Sequence, residues 1–209
     1  MDLDAIREDA RQYFEDVSPS HDWHHVERMK ALAERLASEE GADLETVRLA
    51  ALLHDIGRGK EDRGEIDDHA EWGAEEAGDI LERHGASPGT IEDVKHCIRS
   101  HRYSNDIEPD TVEAEVVSDA DNLDALGATG IARTFCYGGE HGKVMADPDL
   151  PVEEDGSEAG KTSLNHLHKK ILSLKERMYT DSGRELAEDR HEYVRRFVER
   201  FEDEMEGRR

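Results

Sequence analysis

Apolar side chains recur along this chain at helical spacing, one segment after another. Residues 2–16 place Leu3, Ile6, Ala10 and Tyr13 or Phe14 on one side of a short helix. Ser18-Pro19-Ser20 breaks it and offers an N-cap. Over 21–40, His25, Met29, Leu32 and Leu36 follow the i, i+4, i+7, i+11 spacing of one helical face, and Gly41 supplies a C-cap. Asp43 caps a third helix in which Leu44, Val47, Ala51 and His54 share a face, and Gly57 stops it. The charged stretch 58–67 reads as a loop. Asp67 or Asp68 can cap a helix over 69–84, with His69, Gly73, Ala77, Ile80 and His84 along one side. Ser87-Pro88-Gly89 turns the chain into a helix over 90–101 with the stripe Ile91, Val94, Ile98 and His101. The next helix, 110–126, has Val117 four residues before Asp121. Residues 138–162 carry Gly138-Gly139, Pro148, Pro151 and an acidic Gly/Ser stretch, and they read as one long loop. Two helices complete the chain, 163–180 (Leu164, Leu167, Ile171, Leu174, Met178) and 184–206 (Leu186, Tyr193, Phe197, Phe201). No strand-like alternation and no internal repeat occurs. The expected class is all-α: one domain over 1–209, its core at about 18–137, a loop excursion at 138–162 and C-terminal helices at 163–206.

Composition changes this picture in one respect. The chain has 52 acidic against 27 basic residues, a formal net charge of −25, and aromatics at only 5%. High charge with low hydrophobicity can mean disorder. The sustained helical period argues instead for a folded protein with a strongly hydrated acidic surface, as halophilic proteins carry. Such a surface repels nucleic acid and anionic membranes, whose binders carry basic patches. It repels small anions too, unless a metal and a few Arg invert the local field. Cys97 and Cys136 form neither a disulfide framework nor a Cys-x-x-Cys pair, and both fall in apolar patterns that predict buried thiols. No N-terminal segment resembles a signal peptide, and no run approaches the ~20 apolar residues of a spanning helix. A cytoplasmic protein is expected, with oligomeric state open and a homodimer among the alternatives.

The candidate chemistry sits on the apolar faces. His25, His54, His101 and Asp121 each point where the core side chains point, and Asp55 adjoins His54. His24 is turned about 100° away, and His21 lies one turn before His25. A single inward His is commonly a satisfied core residue. A buried carboxylate is costly unless it is paired or binds metal, so Asp121 is the more informative position. Several such groups converging on one core call for a cation, and imidazole nitrogen beside carboxylate oxygen suits a divalent transition metal.

The order H…HD…D resembles the HD-domain metal-dependent phosphohydrolases. Residues 20–29 (SHDWHHVERM) are similar to that family's first helix, Leu52-Leu53-His54-Asp55-Ile56 to its second motif, and residues 119–128 (DADNLDALGA) to its last. Gly130-Ile131-Ala132-Arg133-Thr134-Phe135 and residues 165–172 (NHLHKKIL) resemble a branch of small standalone bacterial and archaeal HD hydrolases, some of which are nucleotide pyrophosphohydrolases. The resemblance implies an HD-type helical bundle with His25, His54, Asp55 and Asp121 as metal ligands. Asp121 is preferred to Asp119 because it stands in the family's Ala-Asp-x-Leu context; Asp119 orients a ligand, caps structure or is solvated. His69 and His101 occupy places where two-metal members add ligands. The alternatives are a solvated helix-start residue and a helix C-terminal cation.

The resemblance further implies a metal-dependent phosphohydrolase acting on a nucleotide or small phosphoester through an activated water. Its cofactor would be a divalent ion, Mn²⁺ first, with Mg²⁺, Co²⁺, Ni²⁺, Fe²⁺ or Zn²⁺ as alternatives. Asp55 would be the bridging or hydroxide-orienting carboxylate. Arg28, Arg102 and Lys170, with Lys169 and His166, either balance phosphate charge or pair with surface acids. Arg133 is expected to tie helices together. No phosphate-binding loop of Walker spacing is present. The competing readings are a catalytically silent module that binds a nucleotide or metal as a sensor, and a closed structural metal site. Iron-dependent oxygenase relatives differ in their substrate motifs.

Overall fold

Most of the helices start at a residue whose side chain accepts from the free N–H groups of a first turn. Asp2 opens α1 (Leu3–Arg11), which runs into a 3₁₀ turn at Gln12–Phe14. Asp22, rather than a residue of the Ser18-Pro19-Ser20 break, opens α2 (Trp23–Glu40), accepting from the His25 N–H at 3.1 Å. Gly41 closes α2 at φ 73°, and its N–H returns to the Ala37 carbonyl. Asp43 opens α3 (Leu44–Leu53), Asp68 opens α5 (His69–Arg83), and Ser87 opens α6 (Pro88–Ser100) with proline in its first turn. Thr111 opens α7 (Val112–Asp124), Thr162 opens α9 (Ser163–Lys169), and Thr180 opens α10 (Asp181–Met205). Between these lie α4 (Arg58–Asp62) and α8 (Gly127–Glu140). This computed structural model describes residues 1–15, 17–102 and 107–209. Residue 16, the end of the first expected helix, lies outside them. Among the described residues there is no strand, and the class is all-α. No helix among them is long and apolar enough to cross a membrane.

The core is a bundle of α2, α3, α5, α6 and α7, with α10 laid across α7 and α8. Met29, Leu36, Leu49, Leu52, Leu53, Ile80, Leu81, Ile98 and Leu123 are almost wholly buried within it. By its area, each such side chain contributes about 1.5–3 kcal/mol on leaving water. The packing brings the C-terminal ends of α3 and α6, the first turn of α2 and the last turns of α7 to one place.

Four expectations need correction. The stretch 58–67 holds the one-turn helix α4, in which the Gly57 carbonyl accepts from Lys60 and Glu61; it is too short to show a period. A separate helix, α8, comes after α7, because Gly127 (φ 81°) breaks the path. It extends to Glu140, so the loop begins at 141. The segment 163–180 is two elements: α9 ends at Lys169, and Ile171–Arg177 is 3₁₀. Cys136 is exposed on α8, whereas Cys97 is buried.

The long loop is organised around the buried carboxylate of Asp155. It accepts from the Ser157 hydroxyl at 2.6 Å, the Lys161 N–H at 2.7 Å and the Asn165 amide at 2.9 Å. These bonds hold its pKa well below the usual carboxylate range. Lys169 donates to the Asp155 and Ser157 carbonyls, and so is engaged in holding the loop. Asp119 performs a similar task where α10 begins. Buried on α7, it accepts from the Tyr179 and Thr180 N–H groups at 2.9 and 2.8 Å and from the Thr180 hydroxyl at 2.7 Å.

Gly183 packs directly against this carboxylate. A Cβ there would land on Asp119 Oδ2 and lie 2.7 Å from Thr180 Oγ1. Helix propensity alone says that Gly→Ala stabilises by about 1 kcal/mol. The clash reverses the sign: Gly183→Ala should destabilise by roughly 1–3 kcal/mol, lowering Tm by several degrees in thermal unfolding, and a raised Tm would refute the packing argument. The thiols give a second check. A disulfide reagent should titrate one cysteine in the native protein, and Cys136→Ser should abolish that reaction. Burial raises the Cys97 pKa, so Cys97 should react only on unfolding.

Candidate metal centre

Two helices end in the residues that matter. His54 comes just after the last turn of α3 and His101 just after the last turn of α6, where backbone carbonyls lack helical partners. Each imidazole turns back and gives its Nδ1–H to one of them, His54 to Ala51 at 2.9 Å and His101 to Ile98 at 2.6 Å. The same bond finishes the helix and aims Nε2 at the bundle interior. His25 comes from the first turn of α2, and its Nδ1 lies 2.8 Å from Asp124 Oδ2. His69 opens α5, with Nδ1 2.5 Å from Glu61 Oε2. Gly57 lets the turn after Asp55 approach this helix start: a Cβ there would sit 2.6 Å from the His69 carbonyl oxygen.

The inward atoms meet in two overlapping groups, His25–His54–Asp121 and His54–Asp55–His101, each spanning no more than 4.8 Å between donor atoms. The Nε2 atoms of His25 and His54 are 3.2 Å apart, and Asp121 Oδ1 is 3.4 Å from that of His25. Asp55 stands between the groups. Its Oδ2 is 3.7 Å from both His25 and His54 Nε2, and its Oδ1 is 3.3 Å from His69 Nε2 and 3.8 Å from His101 Nε2. Apart from Asp121, which faces the cavity, all are buried.

This arrangement fits a cation. The Ala51 carbonyl can only accept, so His54 carries its hydrogen on Nδ1, and burial lowers its pKa to about 4. Its Nε2 is then a bare lone pair facing the Nε2 of His25, beside a carboxylate. A proton on His25 Nε2 or a bound cation satisfies that lone pair, and mixed N/O donors at this spacing suit a divalent transition metal. For Asp55, burial works to raise the pKa, but His54, His101, His69 and His25 outweigh it and hold the carboxyl well below its ordinary range. Asp55 is thus a charged carboxylate with both oxygens turned toward the imidazole donors.

The cluster forms the floor of a cavity of about 380 Å³. Its wall carries Arg58, Arg102, Arg133, Lys143 and Lys170, with His21 and His166. Burial and the nearby Arg133 and Arg58 push the His21 pKa down to about 3. Burial also lowers that of Lys170, against the pull of Asp121. For Arg58, burial works against the charge, but Asp55, Asp62 and Glu61 outweigh it and raise the pKa. The wall gathers five cationic side chains inside a strongly negative protein, and three of them, Arg58, Arg102 and Arg133, are also paired with Glu61, Asp62, Asp68 and Asp124.

Of the sequence candidates, His25, His54, Asp55, Asp121, His69 and His101 converge, and Arg102 and Lys170 line the cavity with His166. Arg28 does not line it. Its guanidinium is committed to Asp124, with bonds of 2.9 and 3.1 Å. Arg133 ties elements together as expected, to Asp124 at 2.9 Å and the Ser20 carbonyl at 2.9 Å, and it also forms part of the cavity wall. Sequence reasoning missed Arg58, Lys143, Asp124 and Glu61. Arg58 and Asp124 each stand three residues beyond a candidate ligand, one helical turn away, which was the available signal.

The family profile of the HD domain matches residues 22–126. YpgQ of Bacillus subtilis, an uncharacterised protein, is 36% identical over 208 residues, 98% of this chain and 94% of its own. Among solved structures, an HD-superfamily hydrolase from Bacillus thuringiensis superposes with a TM-score of 0.77 at 34% identity, over 98% of this chain and 97% of that one. YpgQ in complex with ADP superposes at 0.78 with 32% identity, over 98% of each. Ribonuclease Y of Treponema denticola is 34% identical over 125 residues, 60% of this chain but 22% of that enzyme. Motif order, fold and full-length similarity agree: this chain belongs to the HD-domain family.

Proposed function

We propose that the chain is a metal-dependent phosphohydrolase acting on a nucleotide or another small phosphorylated molecule. The observation that carries this reading is one juxtaposition: an imidazole–carboxylate donor cluster floors a cavity whose wall holds five cationic side chains, in a protein of net charge −25. Local inversion of so negative a field is what an anionic substrate requires. The solved relative with bound ADP supports a nucleotide. The acidic surface argues against nucleic acid polymers, and a cavity of about 380 Å³ suits a small molecule.

In this reading His25, His54, Asp55 and Asp121 hold a divalent cation, Mn²⁺ first among the alternatives, and His69 and His101 extend the set toward a second. The cation would supply a water of lowered pKa and a positive charge for the phosphoryl oxygens. Asp55 touches both donor groups, which suits it to bridge them and to accept a hydrogen bond from the attacking water. Arg58, Arg102, Lys143 and Lys170 hold the phosphate charges against the donor cluster. Arg133 and the short α4 fix the positions of that wall.

A substrate screen tests the reading. Nucleoside mono-, di- and triphosphates, cyclic nucleotides and a generic phosphoester would be incubated in high salt with Mn²⁺, Mg²⁺, Co²⁺ or Ni²⁺ and the products separated. Metal-dependent release of phosphate or pyrophosphate is expected, and Asp55→Ala should reduce it by at least ~10³-fold, a loss of about 4 kcal/mol of transition-state stabilisation. Tight metal binding with no turnover of any of these would overturn the enzyme reading in favour of a sensor or structural site. The wall gives a second prediction. Lys170→Met should raise KM about 10- to 100-fold, the worth of one charge-assisted hydrogen bond, and leave Mn²⁺ affinity near wild type. An unchanged KM would remove Lys170 from the substrate site.

A further inference from the structure

The imidazoles around the cluster are of two kinds, distinguished by what holds the far nitrogen. His54 and His101 give Nδ1–H to carbonyls one turn back on their own helices, which the helices fix in place. His25 and His69 turn instead to carboxylates from other elements, Asp124 at 2.8 Å and Glu61 at 2.5 Å. A carboxylate can rotate, and if buried alone it is costly. Both are therefore braced. Asp124, only 1% exposed, accepts from Arg28 Nε and Nη2 at 2.9 and 3.1 Å and from Arg133 Nη1 at 2.9 Å. Glu61 accepts from Arg102 Nη2 at 2.8 Å, with Arg58 Nη1 at 3.5 Å. The two braces share no residue, yet they have one design: imidazole, carboxylate, two arginines.

We infer that Asp124 and Glu61 are positioning residues, which fix the nitrogen that His25 and His69 turn toward the donor cluster and so strengthen its hold on a divalent cation. Neither carboxylate is among the inward donors, and each acts through its imidazole. A neutral imidazole has two tautomers of similar energy, and the wrong one aims an N–H at the cluster and removes a donor. A charged acceptor at Nδ1 excludes that tautomer and makes Nε2 more basic. The arginines keep the carboxylates ionised and stationary. Three of them, Arg58, Arg102 and Arg133, also line the cavity, so the parts that face an anionic ligand and the parts that aim the donors are mechanically one.

The inference rests on the reading of the cluster as a metal site, and its test separates the two. Asp124→Asn and Glu61→Gln keep side-chain size and can turn an NH₂ toward Nδ1. Imidazole ¹⁵N shifts in metal-free protein report the tautomer, and the free-ion EPR signal reports Mn²⁺ affinity. In the wild type, His25 and His69 should carry hydrogen on Nδ1. Each variant should move its own imidazole toward the Nε2–H form and weaken Mn²⁺ binding roughly 10- to 100-fold with the far-UV circular dichroism intact. Unchanged tautomers with Mn²⁺ affinity within about threefold of wild type would overturn the proposal, even if Tm fell, and would leave the braces as ties between helices. Absence of Mn²⁺ binding by the wild type would overturn the metal reading and the affinity claim, while the ¹⁵N shifts would still decide the positioning claim. Should Asp124→Asn not fold, Glu61→Gln decides the question at His69.

Discussion

An imidazole is useful as a donor only if its other nitrogen is already occupied, and that requirement governs how this bundle is built. His54 and His101 meet it by ending helices: the bond that would otherwise be owed to water at a C-terminus is made by the side chain that continues inward. The ends of α3 and α6 therefore cannot be shifted by a residue without losing both the cap and the donor. His25, in the first turn of α2, has no such carbonyl within reach, and the fold brings α7 against α2 so that Asp124 serves in its place. Much of the packing of α2 on α3 and α7 can be understood as holding these nitrogens within a few ångströms of one another.

That constraint also explains what could be read from the sequence. His25, His54, Asp121 and His101 were legible because each shares an apolar stripe, and a stripe reports direction. Asp55 was legible only as the neighbour of His54. The partners of the far nitrogens lay beyond such reading. Asp124 is 99 residues from His25, and nothing local distinguishes its charge from those of 52 acidic residues. Arg28 carried the opposite lesson: a cation one turn from a ligand looked suited to phosphate, but the nearer unpaired charge was Asp124, and the guanidinium satisfied it.

The fold divides in the same way. Helices of ten residues or more with an unbroken period, such as α2, α5 and α10, were evident. The one-turn α4 has no period to show. α8 contains Gly127, Gly130, Gly138 and Gly139, which local propensity counts against a helix. Packing overrides it: a Cβ on Gly130 would strike the Ala125 carbonyl, and one on Gly138 the Ser163 hydroxyl. Gly130 lets the helix fold back on the turn that precedes it, and Gly138 permits close approach of α9, which is a tertiary fact. The loop after α8 was visible as a loop, but its order around Asp155 depends on Asn165 and Lys169 from the next helix.

The contrast between a negative exterior and a positive cavity has a kinetic consequence. At low ionic strength an approaching anion feels the protein's net charge from afar; at about 0.1 M that field is largely screened beyond about 10 Å, and close in the anion feels the arginines and lysines of the wall. Mobile ions weaken the first field far more than the second, which lies in a partly dry recess. On the proposed function, capture of the anionic substrate should therefore quicken as salt is added, the reverse of ordinary electrostatic steering. On that reading a brine would act as a gate opener: it screens the repulsive outer field and leaves the cations of the recess to act on an anion that has entered.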